Sequence, residues 1–243
     1  MKATALEFRF RFLIHAVIFV LGFTAPWDRW LHLDSAGPNA HLWGTLAADL
    51  SMLKPGASIA TAFNLLLILA TLCALAAAIL RTWASAYLGA ATVQSFSMHG
   101  DCVIAAGPYR YLRNPLYLGI FIHAFALALL MPPSGAIFCI LAIGFFELRL
   151  ILGEEAFLTA KLGEPYLAYC ARVPRLFPAF TPRVAASPTQ PAWPLAFLTE
   201  IYMWGVVGVF ALFGYRYNAF VLIRGVIIVL GASLVVRAFT PRR

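Results

Sequence analysis

The chain alternates between long apolar runs and short polar connections containing Pro, Gly and Arg. Six runs dominated by Leu, Ala, Ile, Val and Phe occupy residues 12–25, 59–80, 116–131, 135–152, 195–213 and 220–236. A helix rises 1.5 Å per residue, so about twenty apolar residues cross a bilayer core. The pattern therefore predicts an all-α, polytopic transmembrane helical bundle with about six membrane segments. The third and fourth runs are short and separated only by Pro132-Pro133-Ser134-Gly135, which predicts a tight helical hairpin.

Composition agrees with the pattern. Of 243 residues 62% are hydrophobic and only 12% charged, and the mean hydropathy is +0.84. These values exclude an ordinary soluble domain, a disordered chain and a disulfide scaffold. The first run ends in Pro26-Trp27-Asp28 rather than a small-x-small cleavage site, so it reads as a retained span.

The net charge of +8 sets the orientation rather than marking nucleic-acid binding. A cytosolic N-terminus places Lys2, Arg9, Arg11, Arg81, Arg110, Arg113, Arg149, Lys161, Arg172, Arg175, Arg183, Arg237, Arg242 and Arg243 on the cytosolic side. It leaves Arg29, Lys54, Arg216 and Arg224 elsewhere. The expected location is a bacterial inner membrane with both termini cytosolic. Residues 27–58 form an external connection in which Trp27, Trp30 and Trp43 suit an interface. The organisation reads as a first span and loop (1–58), a core (59–180), a Pro-rich linker (181–194) and an appended hairpin (195–243).

Cys73, Cys102, Cys139 and Cys170 lack metal or redox spacing and read as ordinary thiols. His15 and His123 lie inside spans without a second ligand at i+4, so no metal site is expected; His32, His41 and His99 lie outside them. His123, one turn beyond Gly119, is placed to reach a pocket at the start of the third run. Arg224 and Glu200 are expected to snorkel outward and inward, respectively.

Two segments carry candidate chemistry. Residues 107–119 read Gly-Pro-Tyr-Arg-Tyr-Leu-Arg-Asn-Pro-Leu-Tyr-Leu-Gly, an irregular loop entering a helix with two guanidinium groups and free backbone N–H groups. Interfacial anchoring explains such residues, but a helix N-terminus with Arg beside it also suits a carboxylate or other anion. Residues 153–178 carry Glu154-Glu155, then Leu162-Gly163-Glu164-Pro165-Tyr166, Tyr169 and Val173-Pro174. The pair either marks the water interface at the start of a following helix or belongs to a site. Glu147, Ile151, Glu154 and Leu158 share one helical face, so Glu147 lies within an apolar run, with Arg149 as its possible partner.

Together these segments resemble the isoprenylcysteine carboxyl methyltransferase family, within a wider group of membrane methyltransferases that includes phospholipid methyltransferases. The family loop G-P-Y-R-Y-x-R-H-P-x-Y-x-G is matched by 107–119 with Asn114 in place of His. The following E-E-x-x-L-x-x-x-F-G-x-x-Y-x-x-Y-x-x-x-V-P is matched by 154–174 with Leu162 in place of Phe. Arg81, Trp83, Leu88-Gly89 and 92–104 extend the resemblance, which covers roughly 60–180.

The resemblance implies S-adenosyl-L-methionine as donor, bound at the cytosolic face, and a lipophilic acceptor entering from the bilayer. It implies no nucleic-acid or metal partner. Gly107, Pro108, Tyr109, Tyr111 and Pro115 would form the cofactor loop, with Glu154 or Glu155 on the donor's amino group or ribose. Arg113, Asn114 and Tyr117 would be the catalytic set, Arg113 holding a carboxylate of donor or acceptor. Asn114 is not titratable near neutral pH, so it cannot act as a general base. That favours a carboxylate or thiol acceptor over a lipid amine, which must first lose a proton. Phospholipid N-methylation, an NADPH-dependent membrane reductase and a non-catalytic membrane protein are the alternatives.

Overall fold

A computed structural model describes residues 2–25, 27–30, 40–53, 58–89 and 102–239. Lys54, Arg242, Arg243, His32, His99 and residues 92–101 of the motif-bearing segment lie outside the described residues, as does the side chain of Arg29.

The described residues form helices α1 (Ala5–Arg9), α2 (Arg11–Thr24), α3 (Trp27–Trp30), α4 (Leu42–Leu53), α5 (Ile59–Leu88), α6 (Pro115–Ala128), α7 (Pro133–Leu162), α8 (Glu164–Arg172), α9 (Trp193–Thr199), α10 (Ile201–Phe213) and α11 (Ala219–Phe239). Three of them, α5, α7 and α11, are long and apolar enough to cross a membrane; α9 and the helix that follows it reach that length only together, bent by 65° as a broken span or a re-entrant loop. Helices α2, α4 and α6 are apolar but shorter. This is the helical membrane bundle that the hydrophobic pattern predicts.

Local sequence explains the element ends. Helix α1 opens on a capping box in which Thr4 and Glu7 satisfy each other's backbone N–H. Helices α6 and α7 each begin with Pro in the first turn, where the missing N–H is harmless. Helix α7 runs 30 residues and stops at Gly163, whose φ of +59° suits a residue without Cβ. It thus outlasts the apolar run by ten residues, and Glu154 and Glu155 lie within it rather than at the start of a following helix. Hydropathy alone misplaces that boundary because Glu, Ala, Leu and Lys are good helix formers without being lipid-soluble.

The stretch expected to be a polar external connection contains α4, whose Trp43 is buried at 2% exposure and donates through its indole N–H to the Phe63 carbonyl. It packs inside the protein rather than at an interface. Helices α2 and α7 cross where Gly22 meets Gly135; a Cβ on Gly135 would land on the Gly22 carbonyl, so the contact is backbone against backbone. Helix α5 presents Ala70, Ala74, Ala77 and Ala78, all 0–1% exposed, as a smooth face for its neighbours.

One apolar core draws on α2, α4, α5, α6, α7, α10 and α11 together. The terminal hairpin is pinned to the remainder by polar contacts as well. Glu200, at the break between α9 and α10, is 1% exposed and accepts from Arg81 Nε at 2.7 Å, Arg81 Nη2 at 2.9 Å and Ser85 Oγ at 2.7 Å. It does not snorkel. Trp204 Nε1 donates to Thr82 Oγ1 at 2.9 Å.

Candidate functional site

The site lies where the loop preceding α6, the first turn of α6, the far end of α7 and helix α8 meet. The loop turns through a short 3-10 helix, Gly107–Arg110. Gly107 has φ +53°, and a Cβ there would run into the Tyr87 ring, so both backbone conformation and space require glycine. Pro108 follows in the first turn, and Tyr109 is carried inward, where its carbonyl accepts the Tyr169 hydroxyl at 2.7 Å. Pro115 then starts α6, which presents Tyr117 two residues later, within its first turn.

The segment following α8 closes this arrangement like a strap. Arg113 N–H donates to Pro174 O, Ala179 N–H to Tyr111 O, Arg183 N–H to Arg110 O and Ser187 N–H to Ala105 O, all at 2.9–3.0 Å. Ala192 N–H donates to Ala86 O at 2.8 Å. The stretch expected to be a linker thus spends its backbone hydrogen bonds on the loop, which is why an irregular segment can be ordered here.

These elements enclose a cavity of about 230 Å³. Its walls include Tyr109, Arg113, Asn114, Pro115, Tyr117 and Glu154, with Leu88, Ile104, Leu158 and Leu162 as apolar lining and Tyr166 and Tyr169 across from the loop. Cys102, a free thiol, lies at the same cavity. Burial pushes the Tyr109, Tyr166 and Tyr169 hydroxyls above the usual phenol range, so all three are hydrogen-bond donors at neutral pH.

The two adjacent glutamates have different tasks. Glu154 faces the cavity and accepts the Tyr117 hydroxyl at 2.7 Å. Glu155, 8% exposed, is turned away from it and held by three partners. Arg113 Nη1 lies 3.3 Å from Oε1, Asn114 Nδ2 donates to Oε1 at 3.1 Å, and Arg175 Nε and Nη2 lie 2.9 and 2.8 Å from Oε2. Asn114 Nδ2 also donates to the Arg175 carbonyl at 3.1 Å. The Glu155 carboxylate keeps Arg175 more firmly protonated than an ordinary arginine. Glu155 therefore organises loop, helix and strap.

Of the residues singled out in the sequence, Tyr109, Arg113, Asn114, Pro115, Tyr117 and Glu154 converge on the cavity, whereas Gly107, Pro108, Tyr111 and Glu155 stand behind it. Tyr111 lies tilted against Trp83 with ring centroids 5.9 Å apart. His123 does not reach the pocket: 2% exposed, it sits 3.3 Å from the Tyr202 hydroxyl and edge-on to Phe19. The partner of Glu147 is His15, at 2.6 Å, not Arg149, which forks instead onto both oxygens of Glu7 at 2.8 Å. Residues two apart on a helix point to different sides, so the tertiary fold had to choose both partners.

Sequence reasoning assigned no role to two arginines. Arg175 directly follows the motif, but its contact with Glu155 requires the strap to fold back. Arg11, outside the motif, is 7% exposed between the rings of Phe8 and Phe12, and its charge acts on Glu154 and Tyr117. An arginine at the edge of an apolar run was the only signal for it.

The residues present fit S-adenosylmethionine. Arg113 Nε and the Tyr109 hydroxyl are buried without a hydrogen-bond partner in the cavity wall. Buried donors are rarely left unpaired, and a carboxylate is the kind of acceptor that either donor lacks. Glu154 offers the opposite charge for an ammonium or sulfonium group, and the tyrosine and leucine walls suit a purine.

Comparison with protein families gives the phospholipid methyltransferase model a match over residues 61–164. The matched segment is similar to a phospholipid methyltransferase, a family that lies within the wider group the motifs resemble. It contains Arg81, the loop, Tyr117 and both glutamates, and leaves out Arg11, Arg175 and Glu200. Comparisons with curated proteins and with solved structures gave no match.

Proposed function

We propose that this chain, whose residues 61–164 match the phospholipid methyltransferase family model, is a membrane methyltransferase that transfers a methyl group from S-adenosylmethionine to a lipophilic acceptor at the cytosolic membrane face. The observation that carries this reading is the cavity in which two unpartnered donors, Arg113 Nε and the Tyr109 hydroxyl, share a wall with the Glu154 carboxylate. This constellation is complementary to an amino-acid moiety carrying both charges. When bound, the donor supplies an electrophilic methyl on a sulfonium, transferable in one displacement that leaves a neutral thioether.

The protein's contribution is then position and solvent exclusion. Arg113, braced by Glu155, presents a cation to a carboxylate. Tyr117 fixes the Glu154 carboxylate so that it faces the positive end of the donor. Leu88, Ile104, Leu158 and Leu162 exclude water from the path of transfer. Asn114 holds the loop to the strap through its amide and has no proton-accepting role.

The acceptor is a carboxylate or a thiol. Among the described residues Glu154 is the only carboxylate in the cavity wall, and holding the donor's cation occupies it. The tyrosines are donors, so the described lining leaves no base for an ammonium group. Phospholipid N-methylation is the second reading, favoured by the description of the matched family.

Binding of S-adenosylhomocysteine to detergent-purified protein, with NADPH titrated in parallel, tests the donor. Saturable binding lost in the Glu154→Gln, Glu155→Gln double variant supports the reading. No binding, together with stabilisation by NADPH, overturns it in favour of a reductase, and silence from both ligands points to a non-catalytic protein. Methyl transfer to phosphatidylethanolamine decides the acceptor: robust turnover replaces the carboxylate or thiol with a lipid amine.

A further inference from the structure

The strap between α8 and α9 carries a surface that the methyl-transfer chemistry does not use. Phe177 is 85% exposed and Phe180 103% exposed, so both rings stand clear of the protein. Around them Arg172 and Arg183 are exposed, and their side chains make no hydrogen bond or ion pair among the described residues. Between Glu164 and Glu200 the chain has no acidic residue at all, while Arg172, Arg175 and Arg183 fall in that stretch. Lys161 lies just before it, exposed at the end of α7. Two exposed aromatic rings flanked by arginines that have no acidic partner among the described residues would be unfavourable in water and suit a surface that is apolar beneath and negative on top.

The backbone around these residues is not loose. Ala179 and Arg183 hydrogen-bond to Tyr111 and Arg110, and Arg175 is anchored on Glu155. The rings are therefore held out by a segment whose path is fixed. Among the described residues only Arg175 of the three arginines has a side-chain partner within the protein, which leaves Arg172 and Arg183 for an external anion.

We propose that residues 172–183 form a binding surface for anionic phospholipids, with Phe177 and Phe180 inserted at the level of the lipid carbonyls and Arg172 and Arg183 on the headgroup phosphates. A surface of this kind gains about fivefold in affinity per basic residue near a charged bilayer, and loses it as salt screens the charge. Because the strap is hydrogen-bonded to the loop at Tyr111 and Arg110, its seating would also set the order of the cavity wall. The proposal stands on the strap alone and does not require the methyltransferase reading.

The test uses the full chain in nanodiscs of phosphatidylcholine alone or with about a third phosphatidylglycerol. The Phe180→Trp variant is compared with the unsubstituted chain for extra fluorescence quenching by brominated lipid. Hydrogen exchange is followed over residues 172–187. The expected result is extra quenching that is stronger in the anionic discs, exchange that is slower there, and loss of both differences in Arg172→Gln, Arg183→Gln and at high salt. Those substitutions leave Arg175 and every backbone bond of the strap in place, so the fold is retained, which a matching thermal transition checks. No extra quenching in either disc overturns insertion. Equal quenching in both discs overturns anionic recognition. Protection that depends on protein concentration assigns the surface to a second copy of the chain instead.

Discussion

The guanidinium of Arg81 grips both carboxylate oxygens of Glu200, at 2.7 and 2.9 Å, across 119 residues of sequence. Its third nitrogen donates to the Leu116 carbonyl at 3.1 Å, in the first turn of α6. One buried ion pair thus joins α5, the helix that opens the candidate site, and the break in the terminal hairpin. Gly119 permits this, since a Cβ there would collide with the Arg81 side chain.

Removing one member of that pair should be worse than removing both. Glu200→Leu leaves a buried guanidinium without its counter-ion, for which about 3–5 kcal/mol of destabilisation is expected. Arg81→Met with Glu200→Leu should recover most of that loss. Thermal or denaturant unfolding in detergent of the single and double variants checks it; equal losses in both would show that the pair acts through packing alone.

The two adjacent glutamates should separate experimentally. Glu154→Gln is expected to abolish S-adenosylhomocysteine binding while leaving the unfolding transition within a degree or two. Glu155→Gln should lower stability and loosen the loop, because Arg113 and Arg175 lose their shared partner. Tyr117→Phe, which removes one hydrogen bond to a charged acceptor, should weaken binding by roughly tenfold or more. Calorimetric binding beside a melting curve for each variant distinguishes them.

Glu7 gives a stability dependence on pH. Its hydrogen bonds to Arg149 and Thr4 lower its pKa from 4.5 to about 2. A depressed carboxylate pKa contributes stability that is fully present above about pH 4.5 and is lost as pH falls toward 2, where the folded form also takes up the proton. The difference in unfolding temperature between the unsubstituted chain and Glu7→Gln should therefore be constant from pH 8 to pH 5 and shrink below. A difference independent of pH down to 3 would contradict this.

Gly135→Ala should disrupt the crossing of α2 and α7, because the added methyl meets the Gly22 backbone, which has no side-chain freedom to yield. A loss of about 1–3 kcal/mol is the ordinary scale for overpacking, and backbone contact puts this case at the upper end. Gly208→Ala, where the new Cβ meets nothing within 4 Å, is the control and should be neutral. Melting curves of the two variants side by side check the contrast.

Much of the architecture was legible in the sequence because helix formation within a bilayer depends on local composition. Lipid offers no hydrogen bonds, so each apolar run must satisfy its backbone as helix, and all six runs are helical over most of their length, the fifth with a break at Glu200. The motif was legible for a similar reason: Gly107, Pro108 and Pro115 dictate their own backbone conformation, and the tyrosines and arginines between them are carried along. Arg113, Tyr117 and Glu154 could be nominated without knowing where they meet.

What the tertiary structure alone decided is who pairs with whom. His15 finds Glu147 across 132 residues, Arg149 finds Glu7, and Arg81 finds Glu200. Each charge could be recognised as expensive in an apolar run, but its partner depends on helix packing, which is set by small residues such as Gly22, Gly135 and the alanines of α5. The same holds for Glu154 and Glu155. Neighbours in sequence, they point about 100° apart on a helix, so one faces the cavity and the other the strap. Only the packing around α7 determines which of the two remains open to a ligand.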